Sequence, residues 1–234
     1  MKIGKIKFMM FISLLLLLSA CGTKEESASK ELTLPSDGLT KLIVDHRNGE
    51  VKITGTDSDQ IEVSAAVKAD GVSMDKLDLT LEAREDTAVL NAQFKAQFLA
   101  MGTGSVDLEV KVPESLALEI TSHRDGKITL SDLSSGAKIG NINGEIQASD
   151  ISGTLEIDNR DGDINARNIG ADIIIHNING HIVVDGVTGS AEIHVGDGSL
   201  DLDHVDKDAM ITQSGNGDIQ IGEVKGEVTQ NKKN

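Results

Sequence analysis

One short phrase, Asx-Gly-x-apolar, recurs at a nearly constant interval in the C-terminal half of this chain. Its copies are Asp125-Gly126-Lys127-Ile128, Asn143-Gly144-Glu145-Ile146, Asp161-Gly162-Asp163-Ile164, Asn179-Gly180-His181-Ile182, Asp197-Gly198-Ser199-Leu200 and Asn216-Gly217-Asp218-Ile219. Successive glycines are 18, 18, 18, 18 and 19 residues apart. A fixed period of this length is the mark of a solenoid, in which each unit buries its apolar face against the next. The period divides again. Gly144, Gly153, Gly162, Gly180, Gly189, Gly198, Gly217 and Gly226 fall on a nine-residue grid, and Ala171 and Lys207 fill two further grid points.

Within a nonapeptide, apolar residues recur two, four and seven places after the grid residue. Examples are Ile164, Ala166 and Ile169, then Ile173, Ile175 and Ile178, then Ile182, Val184 and Val187. The first two of each triplet follow strand alternation, and polar residues between them (Asn165, Asp201, Gln220) are expected to face water. The third is expected to point back inward after a bend. Each nonapeptide therefore predicts one short strand and one turn, and two of them make a coil. About six coils at a strand spacing of ~4.8 Å give a prism on the order of 30 Å long. Asn-Gly and Asp-Gly suit the turns because they tolerate positive φ. The same dipeptides mark hairpins elsewhere, but constant spacing with a repeated inward triplet favours parallel stacking. Handedness and the number of faces stay open.

The N-terminus carries a different message. Lys2, Lys5 and Lys7 precede an apolar run from Phe8 to Leu18, too short for a confident membrane span. Small residues follow, which completes a secretory signal. Leu18-Ser19-Ala20-Cys21 resembles the lipobox of bacterial lipoproteins. That resemblance implies cleavage before Cys21, a diacylglycerol on its sulfur, and anchorage at the extracytoplasmic face of a bacterial envelope membrane. Cys21 is the only cysteine, so the chain has no internal disulfide. Residues 1–20 read as signal peptide and 21–37 as the lipidated cysteine and a flexible tether. Loss of Lys2, Lys5 and Lys7 moves the formal charge from −16 to −19. So acidic a chain repels nucleic acid and anionic lipid, and it leaves cations or basic partners as candidates.

Residues 38–121 break the grid, although Asn48-Gly49-Glu50-Val51 looks like a further copy of the phrase. A stack exposes its first layer and needs a cap. These residues are expected to form irregular β-coils that start and cap a regular solenoid over 122–230. The predicted fold is thus all-β, a parallel β-solenoid or β-helix of paired nonapeptides. Glu109-Val110-Lys111-Val112-Pro113, Leu118-Glu119-Ile120-Thr121 and the first two repeat phrases together resemble the bacterial "putative adhesin" β-solenoid family, a domain of unknown function. The resemblance spans roughly residues 38–229. It implies an association with envelope stress responses and regulatory membrane proteins, and it carries no catalytic motif.

Few residues suggest chemistry. The calcium β-roll repeat G-G-x-G-x-D-x-U-x is not matched, because the doubled glycine and the aspartate are missing. His176 and His194 stand one period apart, with Asp158 one period before. They form an outward column and are the only metal candidates, but three residues on adjacent rungs converge poorly on one ion. The column reads first as a solvent-facing ladder, and no cofactor is expected. The mature chain has neither Trp nor Tyr, and its aromatics are Phe94 and Phe98. That is too few for the flat platforms of a sugar cleft. Phe94 and Phe98 either fill the cap or form a partner-binding loop. No G-x-S-x-G is present, and G-x-G here belongs to turns. The reading is a non-catalytic envelope lipoprotein that presents its solenoid to a protein or envelope polymer, in adhesion or stress signalling. A β-helix enzyme acting on polysaccharide, and a lipoprotein binding metal or a small ligand, remain as alternatives.

Overall fold

The structure, a computed structural model, describes residues 14–15, 25–95 and 102–233. Cys21 with its lipobox, and Phe98, lie outside the described residues. No α-helix occurs among those described. The strands pair into two ladders, one for each nonapeptide of the coil. The first runs through Thr103–Pro113, Val51–Thr56, Ile128–Leu133, Ile146–Ile151 and Ile164–Ile169. It continues through the second halves of Ile173–Val187 and Ala191–Val205 and ends at Ile219–Ile221. The second runs through Thr87–Phe94, Lys41–His46, Ala117–Asp125, Ala137–Asn143 and Leu155–Asp161. It continues through the first halves of the same two long strands to Ala209–Gln213 and Val228–Lys232. Every pairing along both runs is parallel. The coil therefore has two main faces, and the 18-residue period appears directly as the register Ile157↔Ile175↔Ile193. Between the faces lies one continuous apolar core.

The phrase at Asn48-Gly49 is a true copy. Val51 pairs with Ile128, so Lys41–His46 and Val51–Thr56 form the first coil although a long insertion separates them from the second. That insertion is the cap, and it is antiparallel. Glu25–Pro35 pairs with Gln60–Asp70, which pairs with Thr103–Pro113. On the other face Leu77–Arg84 pairs with Thr87–Phe94. Gln60–Asp70 alternates strictly, with Ile61, Val63, Ala65, Val67 and Ala69 buried. A bare edge of that quality invites a further strand. This corrects the expectation of a tether over residues 21–37. Glu25–Pro35 is a strand, with Leu32 and Leu34 in the core. Its polar start hides the alternation that follows.

The two nonapeptides of a coil also differ, which the single inward triplet does not anticipate. After Ile164 and Ala166 the backbone turns left-handed at Asn168, φ 55°, and Ile169 is buried. Asp132, Asp150, Gly186 and His204 hold the equivalent corner at φ 61°, 58°, 79° and 53°. In the other nonapeptide alternation continues to the next Asx-Gly. Ile173 and Ile175 are buried, Asn177 follows them inward, and Ile178 is 54% exposed. Ile178 is therefore an outward residue, contrary to the triplet.

Four successive Asx-Gly corners require glycine twice over. Gly126, Gly144, Gly162 and Gly180 have φ between 124° and 138°. A Cβ built on Gly162 would also fall on the carbonyl oxygen of Gly144, and the same overlap repeats up the column. The backbones of successive coils close up where no side chain intervenes.

Candidate interaction surface

Buried polar residues form a line through the core. His46 and His123 stack with ring centroids 5.1 Å apart. His123 Nδ1 lies 2.6 Å from Asn141 Oδ1. Asn141 Nδ2 donates to Asn159 Oδ1 at 2.9 Å, and Asn159 Nδ2 donates to Asn177 Oδ1 at 3.0 Å. Asn177 Nδ2 ends the run on the carbonyls of Gly162 and Asn179, each at 3.1 Å. Val195 takes the next rung, and Gln213 then donates to the Gly217 carbonyl at 2.9 Å. Buried amides cost little when each is hydrogen-bonded, and this line satisfies that condition by register. His46 Nε2 donates to the Val106 carbonyl at 2.7 Å, which fixes the neutral tautomer with its proton on Nε2. Burial, the largest cause, lowers its pKa to about 4; the nearby charge of His123 acts in the same direction. The line is structural, since no part of it opens to solvent.

The outer faces carry charge in register. Lys138 pairs with Glu156 at 2.5 Å, Lys127 with Glu145 at 3.4 Å, and Lys52 with Glu109 at 3.1 Å. Asp158, His176 and His194 are Cα partners in sequence, so the expected column exists. It does not gather these three residues. The donors of His176, His194 and Glu192 lie within 4.8 Å of one another, and Asp158 is not in that group. Glu192 is two residues before His194 and so shares its strand and face. A search by repeat period alone passes over it.

A concavity of about 800 Å³ sits where the first coil meets the cap. Arg47, Lys68, Phe94, Lys95 and Arg124 line it, with backbone from Gly102 to Ser105. The ring of Phe94 lies on Gly104, where any Cβ would collide with it. Phe94 is thus half-buried against the core and also forms part of the cavity wall. Lys68 and Lys95 have carboxylate partners, Asp107 at 3.2 Å and Asp78 at 3.5 Å. Arg47 and Arg124 form no ion pair among the described residues. The backbone N–H of Arg124 donates to the carbonyl of Arg47 at 2.8 Å, which sets the two residues on neighbouring rungs. Asp70 and Asp125 line the cavity as well, so its wall carries both signs. The two arginines lie far apart in sequence, but each immediately precedes an Asx-Gly phrase, Asn48-Gly49 and Asp125-Gly126, and the pairing of these two copies brings them together.

The Toastrack DUF4097 family profile matches residues 4–176. No curated protein matches the chain. Among solved structures, a "putative cell adhesion protein" from Clostridium sporogenes is 14% identical, covers 91% of this chain and 100% of its own, and has a TM-score of 0.32. A "putative adhesin" from Parabacteroides merdae is 13% identical, covers 89% and 97%, and scores 0.39. A "putative lipid binding protein" from Parabacteroides distasonis is 12% identical, covers 91% and 98%, and scores 0.31.

Proposed function

This chain belongs to the Toastrack DUF4097 family, and from that premise we propose that it is a non-catalytic lipoprotein of the bacterial cell envelope. Cys21 is its lipid anchor, at the extracytoplasmic face, and its β-solenoid presents surfaces to a macromolecular partner in adhesion or envelope-stress signalling. The observation that carries this reading is the cavity at the cap, where Arg47 and Arg124, which form no ion pair among the described residues, stand beside Phe94. Two arginines on adjacent rungs suit bidentate hydrogen bonds to carboxylate or phosphate, and a half-buried ring supplies apolar area next to them. The partner therefore carries an anionic segment, whether it is an envelope polymer or an acidic stretch of protein. The surrounding negative field disfavours bulk polyanions such as nucleic acid and restricts binding to segments that reach the cavity.

The test uses cells that express the full chain. Cys21→Ala should abolish lipid labelling and release the protein from membranes, while leaving the cavity intact. Arg47→Glu with Arg124→Glu should keep the anchor and lose most crosslinking to envelope components, more so at low salt. Unchanged crosslinking in the double variant refutes the cavity as the contact. Polysaccharide turnover by the purified protein, lost on one carboxylate substitution, refutes the non-catalytic reading.

A further inference from the structure

We propose that His176, His194 and Glu192 bind one divalent cation of the zinc, nickel or copper class on the outer face of the second ladder. The register supplies the argument. His176 and His194 are direct Cα partners on neighbouring parallel strands, so their side chains leave the sheet on the same side one rung apart. Glu192, two residues before His194, leaves it on that side too. All three donors already lie within 4.8 Å of one another. Ligands ~2.0–2.2 Å from a common ion stand roughly 3–4 Å apart, so small side-chain rotations close the set. The imidazoles meet at 85° with centroids 4.5 Å apart. Crossed rings can direct nitrogens to one point, whereas rings stacked in parallel along a ladder keep theirs a rung apart.

The scaffold holds this arrangement in place. The strand of Glu192 and His194 is paired on both sides, with Ile173–Val187 and with Ala209–Gln213. Ile175 and Ile193, which alternate with these ligands, are fully buried and fix the backbone from beneath. A site on paired strands is more precise than one on a loop. Glu192 Oε1 and His194 Nε2 are 3.1 Å apart, so the carboxylate already orients one imidazole. Two imidazoles and one carboxylate favour borderline transition ions over calcium or magnesium, which prefer all-oxygen shells. Three protein donors leave a fourth position to water. The electrostatics favour a cation: Asp158 is the Cα partner of His176 on the next strand. His204 contrasts with this set, because it has Asp185 at 2.8 Å and Asp203 at 3.4 Å but no second imidazole.

The experiment titrates chelator-treated, purified full-length chain with Zn²⁺ by calorimetry and follows Cu²⁺ by electron paramagnetic resonance. One equivalent should bind at micromolar concentration, and the copper spectrum should show two nitrogen donors. His176→Ala and His194→Ala should each weaken Zn²⁺ binding about 100-fold, and Glu192→Gln at least about tenfold. His204→Ala should bind as the parent does. All four variants should keep the parent's circular dichroism, since each residue is on the surface. The proposal is overturned if saturation requires millimolar Zn²⁺. It is equally overturned if a His176→Ala/His194→Ala variant retains the parent's affinity, which would locate the binding elsewhere in the chain.

Discussion

At the residue scale, His46 is the side chain most at odds with its surroundings. It ends the strand Lys41–His46, fully buried, with one nitrogen committed to the Val106 carbonyl. Its Nδ1 has no partner among the described residues. Burial therefore favours the neutral ring, and the pKa falls from 6.5 to about 4. The sign follows from linkage. A proton binds the unfolded chain more readily than the folded one, so acid favours unfolding. The stabilisation is complete above pH 6.5, is lost as pH falls from 6.5 toward 4, and changes no further below that. A depression of this size corresponds to about 3 kcal/mol across the window. Urea unfolding of the parent and of His46→Gln at pH 7 and at pH 4.5 checks it. Carboxylate titration is common to both proteins and cancels in the comparison. The parent should lose most of that energy relative to the variant, and parallel pH curves would rule this account out.

At the element scale, the coil explains why Asp and Asn alternate at the turns. Asn143 donates to Asp125 at 3.0 Å and Asn179 to Asp161 at 2.5 Å, each one rung away. A carboxylate on every rung would stack like charges at strand spacing. Asn143→Asp inserts a carboxylate between those of Asp125 and Asp161, in one line with both, and removes a hydrogen bond. It should cost about 1–2 kcal/mol at neutral pH in low salt, and less in high salt. Thermal melts at two salt concentrations measure this; a salt-independent loss would mean that repulsion is not the cause. The glycine spacing and the alternation of Ile173 with Ile175 are enough to read parallel coils from the sequence. The inward asparagines are harder to read, because a polar residue six places after the grid residue looks outward. A signal is nevertheless present: position seven is Ile151, Ile169, Val187 and Val205 in one nonapeptide, but Ile142, Arg160, Ile178 and Gly196 in the other. Apolar invariance marks the inward seventh residue, and its absence marks a strand that continues. The candidate surface is less legible still. Glu192 follows strand alternation rather than the repeat, whereas Arg47 and Arg124 share the place just before an Asx-Gly phrase and are separated only by the long insertion.

At the scale of the whole molecule, the two ends of the stack are unlike. The first coil lies under antiparallel strands whose inward residues join the core. The last described rung, Ile219–Ile221 and Val228–Lys232, has no fully buried residue, and Val228 is 43% exposed. In a solenoid each coil is stabilised by its immediate neighbours, so a rung with one neighbour opens at lower cost than a rung with two. Local opening should therefore be graded along the stack rather than all-or-none. Amide hydrogen exchange on the full chain tests the gradient. Amides of Val228–Lys232 should exchange by local fraying, with free energies far below that of global unfolding. Amides of Ile157, Ile175 and Ile193 should exchange only when the core opens cooperatively. Ile175→Asp sharpens the test, because it puts an unpaired carboxylate between two fully buried neighbours and should cost several kcal/mol. Protection should then fall first at Ile157 and Ile193, the partners on either side, and least in the cap strand Gln60–Asp70. Uniform loss along all rungs would mean that the molecule opens as a single unit, and the nearest-neighbour account would fail.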